Sequence, residues 1–139
     1  RRNVSDKDVL YGKKIFYESK CTACHTPKYV TSKNAKHDFL KYQLIWPYTD
    51  LLLHDMGDEL ADFDIKGNIT NKEWKTPPLW GIGYAKEVNS RATFLHDGRA
   101  NTLLEAVLWH SGEAKNSIDF LLKNYKIDLN KLVIFLKSL

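Results

Sequence analysis

The residues most able to do chemistry sit together near the start of the chain. Cys21-Thr22-Ala23-Cys24-His25 places two thiols and an imidazole at neighbouring positions, and these are the only two cysteines. A pair at this spacing suits a thiol–disulfide redox centre, half of a structural zinc site, or the attachment of haem. The first reading wants a βαβ setting, and no strand pattern precedes Cys21. The second needs two more ligands at comparable spacing, whereas the other histidines are distant and apart. The third needs a histidine directly after the second cysteine, and His25 meets that requirement. The expectation is one covalent haem c, with thioethers from Cys21 and Cys24 and the iron ligated by His25. The other ring N–H of His25 then needs an acceptor, for which the carbonyl of Pro27 is a candidate.

Two side chains compete for the opposite face of the iron. Met56 is the single methionine, and a thioether opposite histidine raises a haem potential. His110 is its rival, on the same helical face as Leu103 and Val107 and so pointing inward. An iron left open, or ligated otherwise, is the third possibility. His96 and His54 are weak candidates for acid–base work, since a lone histidine is more often structural. Arg99 could pair with a haem propionate, and a plain surface arginine is an equal reading. Trp80 and Trp109 suit an electron path, although aromatic core packing explains them as well. The acidic run Asp55, Asp58, Glu59, Asp62 and Asp64 follows no Ca²⁺-loop spacing and reads as a solvated loop.

These groups need elements to hold them. Ser5 with Asp8 predicts a helix start, and Val9, Gly12 and Phe16 predict a helix to about Ser19 with a close crossing at Gly12. Leu129, Leu132, Val133, Leu136 and Leu139 form one apolar stripe behind a possible cap at Asp128, which predicts a terminal helix. Thr26 to Asp38 reads as loop, and Leu40 to Leu53 as an apolar stretch packing beside the haem. Thr76-Pro77-Pro78 is extended. Thr102 with Glu105 is a capping box for a short helix ending near His110, and Asn116 or Ser117 opens another through Tyr125. No repeat and no clear strand alternation emerges, so the expected class is mainly α.

Composition bounds the rest. At 139 residues the chain suits one domain with a real core, 1–139. No apolar run could span a bilayer. The net charge of +4 comes from scattered lysines, so no nucleic-acid surface is expected. Haem attachment to thiols takes place outside the cytoplasm, which makes the expected location periplasmic or otherwise extracytoplasmic. The chain opens without a signal-like stretch, so either an export signal has been removed or, as the favoured expectation, this is one domain of a longer protein.

Gly12-Lys13-Lys14-Ile15-Phe16 leading into the cysteine motif resembles the cytochrome c family. Thr76-Pro77-Pro78-Leu79-Trp80-Gly81, Phe94-Leu95-His96-Asp97-Gly98-Arg99 and Thr102-Leu103 through Glu113-Ala114 resemble the di-haem oxidoreductases related to bacterial cytochrome c peroxidase. Pro47 through Gly57 is similar to the subgroup of peroxidases or thiol oxidoreductases. The resemblance implies a cytochrome c-like fold and the C-terminal half of a two-haem enzyme. It also implies an N-terminal haem domain of the same protein and a redox donor protein as partners. This half would transfer electrons; peroxidatic catalysis at this haem and a stand-alone mono-haem carrier are the alternatives. The family's chain order puts the distal ligand shortly before the last helix, which favours His110 over Met56, although relatives carry methionine or tyrosine there. A Ca²⁺ between the two domains is implied as well, held partly by backbone carbonyls that would fall here near Arg91 and Thr93, with its other ligands missing from this chain.

Overall fold

The computed structural model describes residues 2–139. Helix α1 spans Lys7–Glu18 and α5 spans Leu129–Ser138, and their packing forms the frame. Gly12 makes the close approach possible: a Cβ there would lie 1.9 Å from the carbonyl oxygen of Lys131. Around this crossing Val9, Ile15 and Phe16 of α1 meet Leu132, Phe135 and Leu136 of α5 in one core cluster. The Phe16 and Phe135 rings lie 5.3 Å apart. Tyr11 Oη donates to Asp128 at 3.1 Å. Asp128 is therefore engaged across the interface, and its side chain does not cap α5.

The start of α1 differs from expectation by one residue. Asp6, extended at φ −65° and ψ 132°, is the cap, and its Oδ1 accepts from the amides of Asp8 and Val9. Because the helix begins at Lys7, Ser5 lies one position too early to reach those amides. Further helices are α2 (Ala85–Val88), α3 (Leu103–Leu108) and α4 (Lys115–Tyr125). Helical residues, short 3-10 turns included, make up 44% of the chain, and the class is mainly α.

Short strands interrupt the long middle segment. β1 (Tyr29–Val30) pairs antiparallel with β2 (Leu44–Ile45). β3 (Leu53–Asp55) pairs with β6 (Glu73–Lys75), aligning His54 with Trp74. β4 (Asp62–Phe63) pairs with β5 (Ile69–Asn71). At two or three residues each, they are too short to leave an alternating pattern, which is why the sequence shows none. The stretch from Leu40 to Leu53 is not uniformly inward either. Leu44, Trp46, Leu51, Leu52 and Leu53 are exposed, and burial is concentrated at Pro47, Tyr48 and Thr49. Thr49 is anchored because its hydroxyl donates to the carbonyl of Thr76 at 2.7 Å, which ties this segment to the one before Pro77. Among the described residues no helix is long and apolar enough to cross a membrane.

Candidate haem and metal centre

Helix α1 delivers the chain to the cysteines through Lys20, whose left-handed φ of 58° turns it sharply. A 3-10 turn over Cys21–Ala23 follows, and the amide of His25 donates to the carbonyl of Cys21 at 2.9 Å. The turn gathers both thiols and the imidazole beside Phe16, whose ring centre is 6.2 Å from that of His25. Both cysteines are free and half-buried. Burial pushes the Cys21 thiol up to about 12, and burial together with the charges of Asp50 and Glu113 raises Cys24. Both groups are therefore thiols at neutral pH.

His25 Nδ1 donates to the carbonyl of Tyr48 at 3.0 Å, not to that of Pro27. Tyr48 can serve because the amide of Thr49 donates to Thr26 and lays this segment alongside the motif. The bond fixes the ring's tautomer and leaves Nε2 as the nitrogen free to ligate. Burial lowers the His25 pKa to about 4, so the imidazole is neutral, as metal ligation requires.

His110 ends up beside His25, with ring centroids 6.4 Å apart and planes inclined by 49°. The capping box is present: the Thr102 hydroxyl accepts from the Glu105 amide while the Glu105 carboxylate accepts from the Thr102 amide. That fixes the phase of α3 and brings His110 in just past its end. His110 Nδ1 donates to the carbonyl of Ala106 at 2.7 Å, which again leaves Nε2, and burial lowers its pKa too. Two metal–imidazole bonds of about 2 Å each, plus the spans from nitrogen to ring centre, come to about 6 Å. The observed separation of 6.4 Å leaves room for the two imidazoles to share one metal. With two thiols at the attachment spacing, these residues fit a covalently held haem.

Met56 follows β3 directly. There the backbone of Asp55, Met56 and Gly57 packs directly on Gly112, at which a Cβ would lie 2.2 Å from the Asp55 carbonyl oxygen. This contact sets Glu113 against β3, where its Oε1 accepts from the Asp55 amide at 3.0 Å. His54 is clasped between two carboxylates, Nε2 to Asp50 Oδ2 at 2.8 Å and Nδ1 to Glu113 Oε2 at 2.9 Å. The hydrogen bonds to Glu113 and then Asp50 raise the His54 pKa. His96 stacks on Trp74 at 3.6 Å, its Nε2 3.3 Å from Asp62 Oδ1. Arg99 pairs with Asp97 at 2.6 Å and lies over the Trp109 ring, so its guanidinium is already engaged. Trp80 and Trp109 are about half exposed and lie outside the core cluster. Sequence reasoning missed Tyr48, Asp50 and Glu113 as partners of the site histidines. The i, i+4 spacing of Asp50 and His54 was the one signal available for any of them.

The fold and site define a class: a mainly helical domain presenting a Cys-x-x-Cys-His turn to a second neutral histidine. The chain belongs to the family described as di-haem oxidoreductase, putative peroxidase, whose model matches residues 1–139. No curated protein and no solved structure matches the chain.

Proposed function

We propose that this chain is a cytochrome c-like domain that binds one covalent haem c and carries electrons within a periplasmic di-haem peroxidase-like oxidoreductase. The observation that carries this is the meeting of His25 and His110, each neutral and each with Nδ1 held by a carbonyl. Cys21 and Cys24 would hold the haem edge, and His25 and His110 would bind the iron. Bound haem supplies a one-electron couple at iron. Tyr48 and Ala106 orient the two imidazoles, so neither ring has to reorganise when the charge on the metal changes. Two strong ligands close the metal to substrate, which favours electron transfer over peroxidatic chemistry at this centre. The family's two haems against a single Cys-x-x-Cys-His here support a partner haem domain, which we place N-terminal in the same protein.

The test is mass spectrometry under denaturing conditions on protein made with periplasmic haem attachment. The haem mass should stay with the chain, and the visible spectra of both oxidation states should be six-coordinate and low-spin. Haem that washes away while both thiols react freely would end this reading. A gene encoding a second Cys-x-x-Cys-His upstream of Arg1 is the expected result for the two-domain arrangement.

A further inference from the structure

We propose that the haem-free chain carries a Zn²⁺ site made by Cys24, Asp50 and His54, with Glu113 as the partner that orients the histidine, and that haem attachment abolishes it.

Asp50 and His54 sit four residues apart, Cys24 comes from the haem-attachment turn, and the three ligating atoms converge within 4.8 Å of one another. Thiolate, carboxylate and imidazole are the donor set that zinc takes, and a fourth position is left for water. The geometry agrees at Asp50 and His54. Asp50 Oδ1 is occupied by the Leu52 amide at 2.9 Å, so Oδ2 is the oxygen aimed at His54 Nε2. A cation at this point replaces the proton shared by those two atoms. On the far side of the ring, Nδ1 donates to Glu113 Oε2 at 2.9 Å. A histidine that ligates metal through one nitrogen characteristically donates from the other to a carboxylate. Glu113 is in turn fixed by the Asp55 amide.

A divalent cation among these ligands would convert the Cys24 thiol to thiolate. Thiolate and the Asp50 carboxylate together balance the charge of Zn²⁺. The site itself stands without the haem reading. Its exclusivity rests on that reading, because a sulfur in thioether linkage is no longer an anionic ligand.

The experiment is a titration of the full chain, made without haem and kept reduced, with Co²⁺ as the spectroscopic probe, followed by displacement with Zn²⁺. The expected result is one ion bound, intense tetrahedral visible bands, and a sulfur-to-cobalt band of single-thiolate intensity. His54→Leu and Cys24→Ser should lose these signals. The exposed Glu113→Gln change should weaken binding by about 10–100-fold while leaving the circular dichroism intact. Two-thiolate intensity that persists in His54→Leu would assign the metal to the Cys21–Cys24 pair and overturn the proposal. So would the absence of any tetrahedral spectrum. Chain whose mass shows attached haem should give no such cobalt spectrum; a spectrum undiminished there would overturn the exclusivity. The mass is read independently, so failure of the haem reading and failure of the zinc site are separate results.

Discussion

The His25 imidazole hangs from the backbone of Tyr48: Nδ1 donates to that carbonyl at 3.0 Å, and Tyr48 itself is only 3% exposed with φ at 55°. The ring of Tyr48 explains how the carbonyl stays in place. It stands edge-on to Phe16 at 5.9 Å and to Phe135 at 6.0 Å, so the α1–α5 core clamps the residue that aims the His25 imidazole.

Tyr48→Ala should therefore damage both stability and the site. Alanine keeps the same backbone demand but empties the space between two phenylalanines, and loss of a large buried aromatic costs about 3–5 kcal/mol. Urea unfolding of the haem-free chain would measure the loss. A change below about 1 kcal/mol would mean that the clamp contributes little.

Acid should destabilise the haem-free chain through His25. Its folded pKa of about 4, set mainly by burial, lies below the ordinary value of 6.5 for histidine. The unfolded chain thus binds the proton more tightly, and the contribution of His25 is present above 6.5 and lost as pH falls toward 4. His110, lowered by burial, acts with the same sign. His54 acts oppositely, since Glu113 and Asp50 raise it and its contribution disappears as pH rises through its folded pKa. Unfolding free energy measured in pH steps from 6.5 to 4 should fall, and His25→Gln should flatten that slope. A wild-type profile already flat over this range would contradict the burial argument.

The helix crossing gives a contrast between two glycines. At Gly12 a methyl group would meet the Lys131 carbonyl oxygen at 1.9 Å, and backbone on both sides cannot yield without separating α1 from α5. Gly12→Ala should cost at least about 1–3 kcal/mol. At Gly67 nothing lies within 4 Å, and only its φ of 82° resists a side chain. Gly67→Ala should cost no more than about 1–2 kcal/mol. Equal midpoints for the two variants in thermal unfolding would show that the crossing is softer than its geometry.

Local signals made much of this legible in the sequence. Gly12 four residues before Phe16, the apolar stripe from Leu129 to Leu139 and the Thr102–Glu105 box each depend on neighbours in the chain, and each has its counterpart in the fold. The Cys-x-x-Cys-His turn is similarly local. What stayed hidden depends on contacts between remote segments. His25 could be seen to need an acceptor, but Tyr48 lies 23 residues on, and only the Thr26–Thr49 hydrogen bond brings it there. Glu113 reaches His54 across 59 positions because Gly57 and Gly112 permit backbone-to-backbone packing. Ladders of two and three residues are below the length at which alternation can register.

For the proposed haem-bound protein, substitution of the two rivals tests which side chain would bind the iron together with His25. His110 is 6.4 Å from His25 between ring centres, its Nδ1 is committed to Ala106, and its Nε2 is the remaining nitrogen. Met56 sits where Gly57 and Gly112 pack, in a segment whose backbone is tied to Lys72. In the haem-loaded protein, His110→Ala should make the iron high-spin or open it to added imidazole, and Met56→Leu should leave the spectrum nearly unchanged. Two imidazoles also favour Fe(III) relative to imidazole with thioether, because the softer sulfur stabilises Fe(II). The oxidised wild type should accordingly lack the near-infrared sulfur-to-iron band, and its potential should lie below that of a His/Met haem in similar surroundings. Should Met56→Leu be the change that alters the spectrum, the ligand is the thioether, and the approach of His110 to His25 is packing alone. Should neither change matter, the iron is open on that side, and peroxide added to the isolated domain should then be turned over.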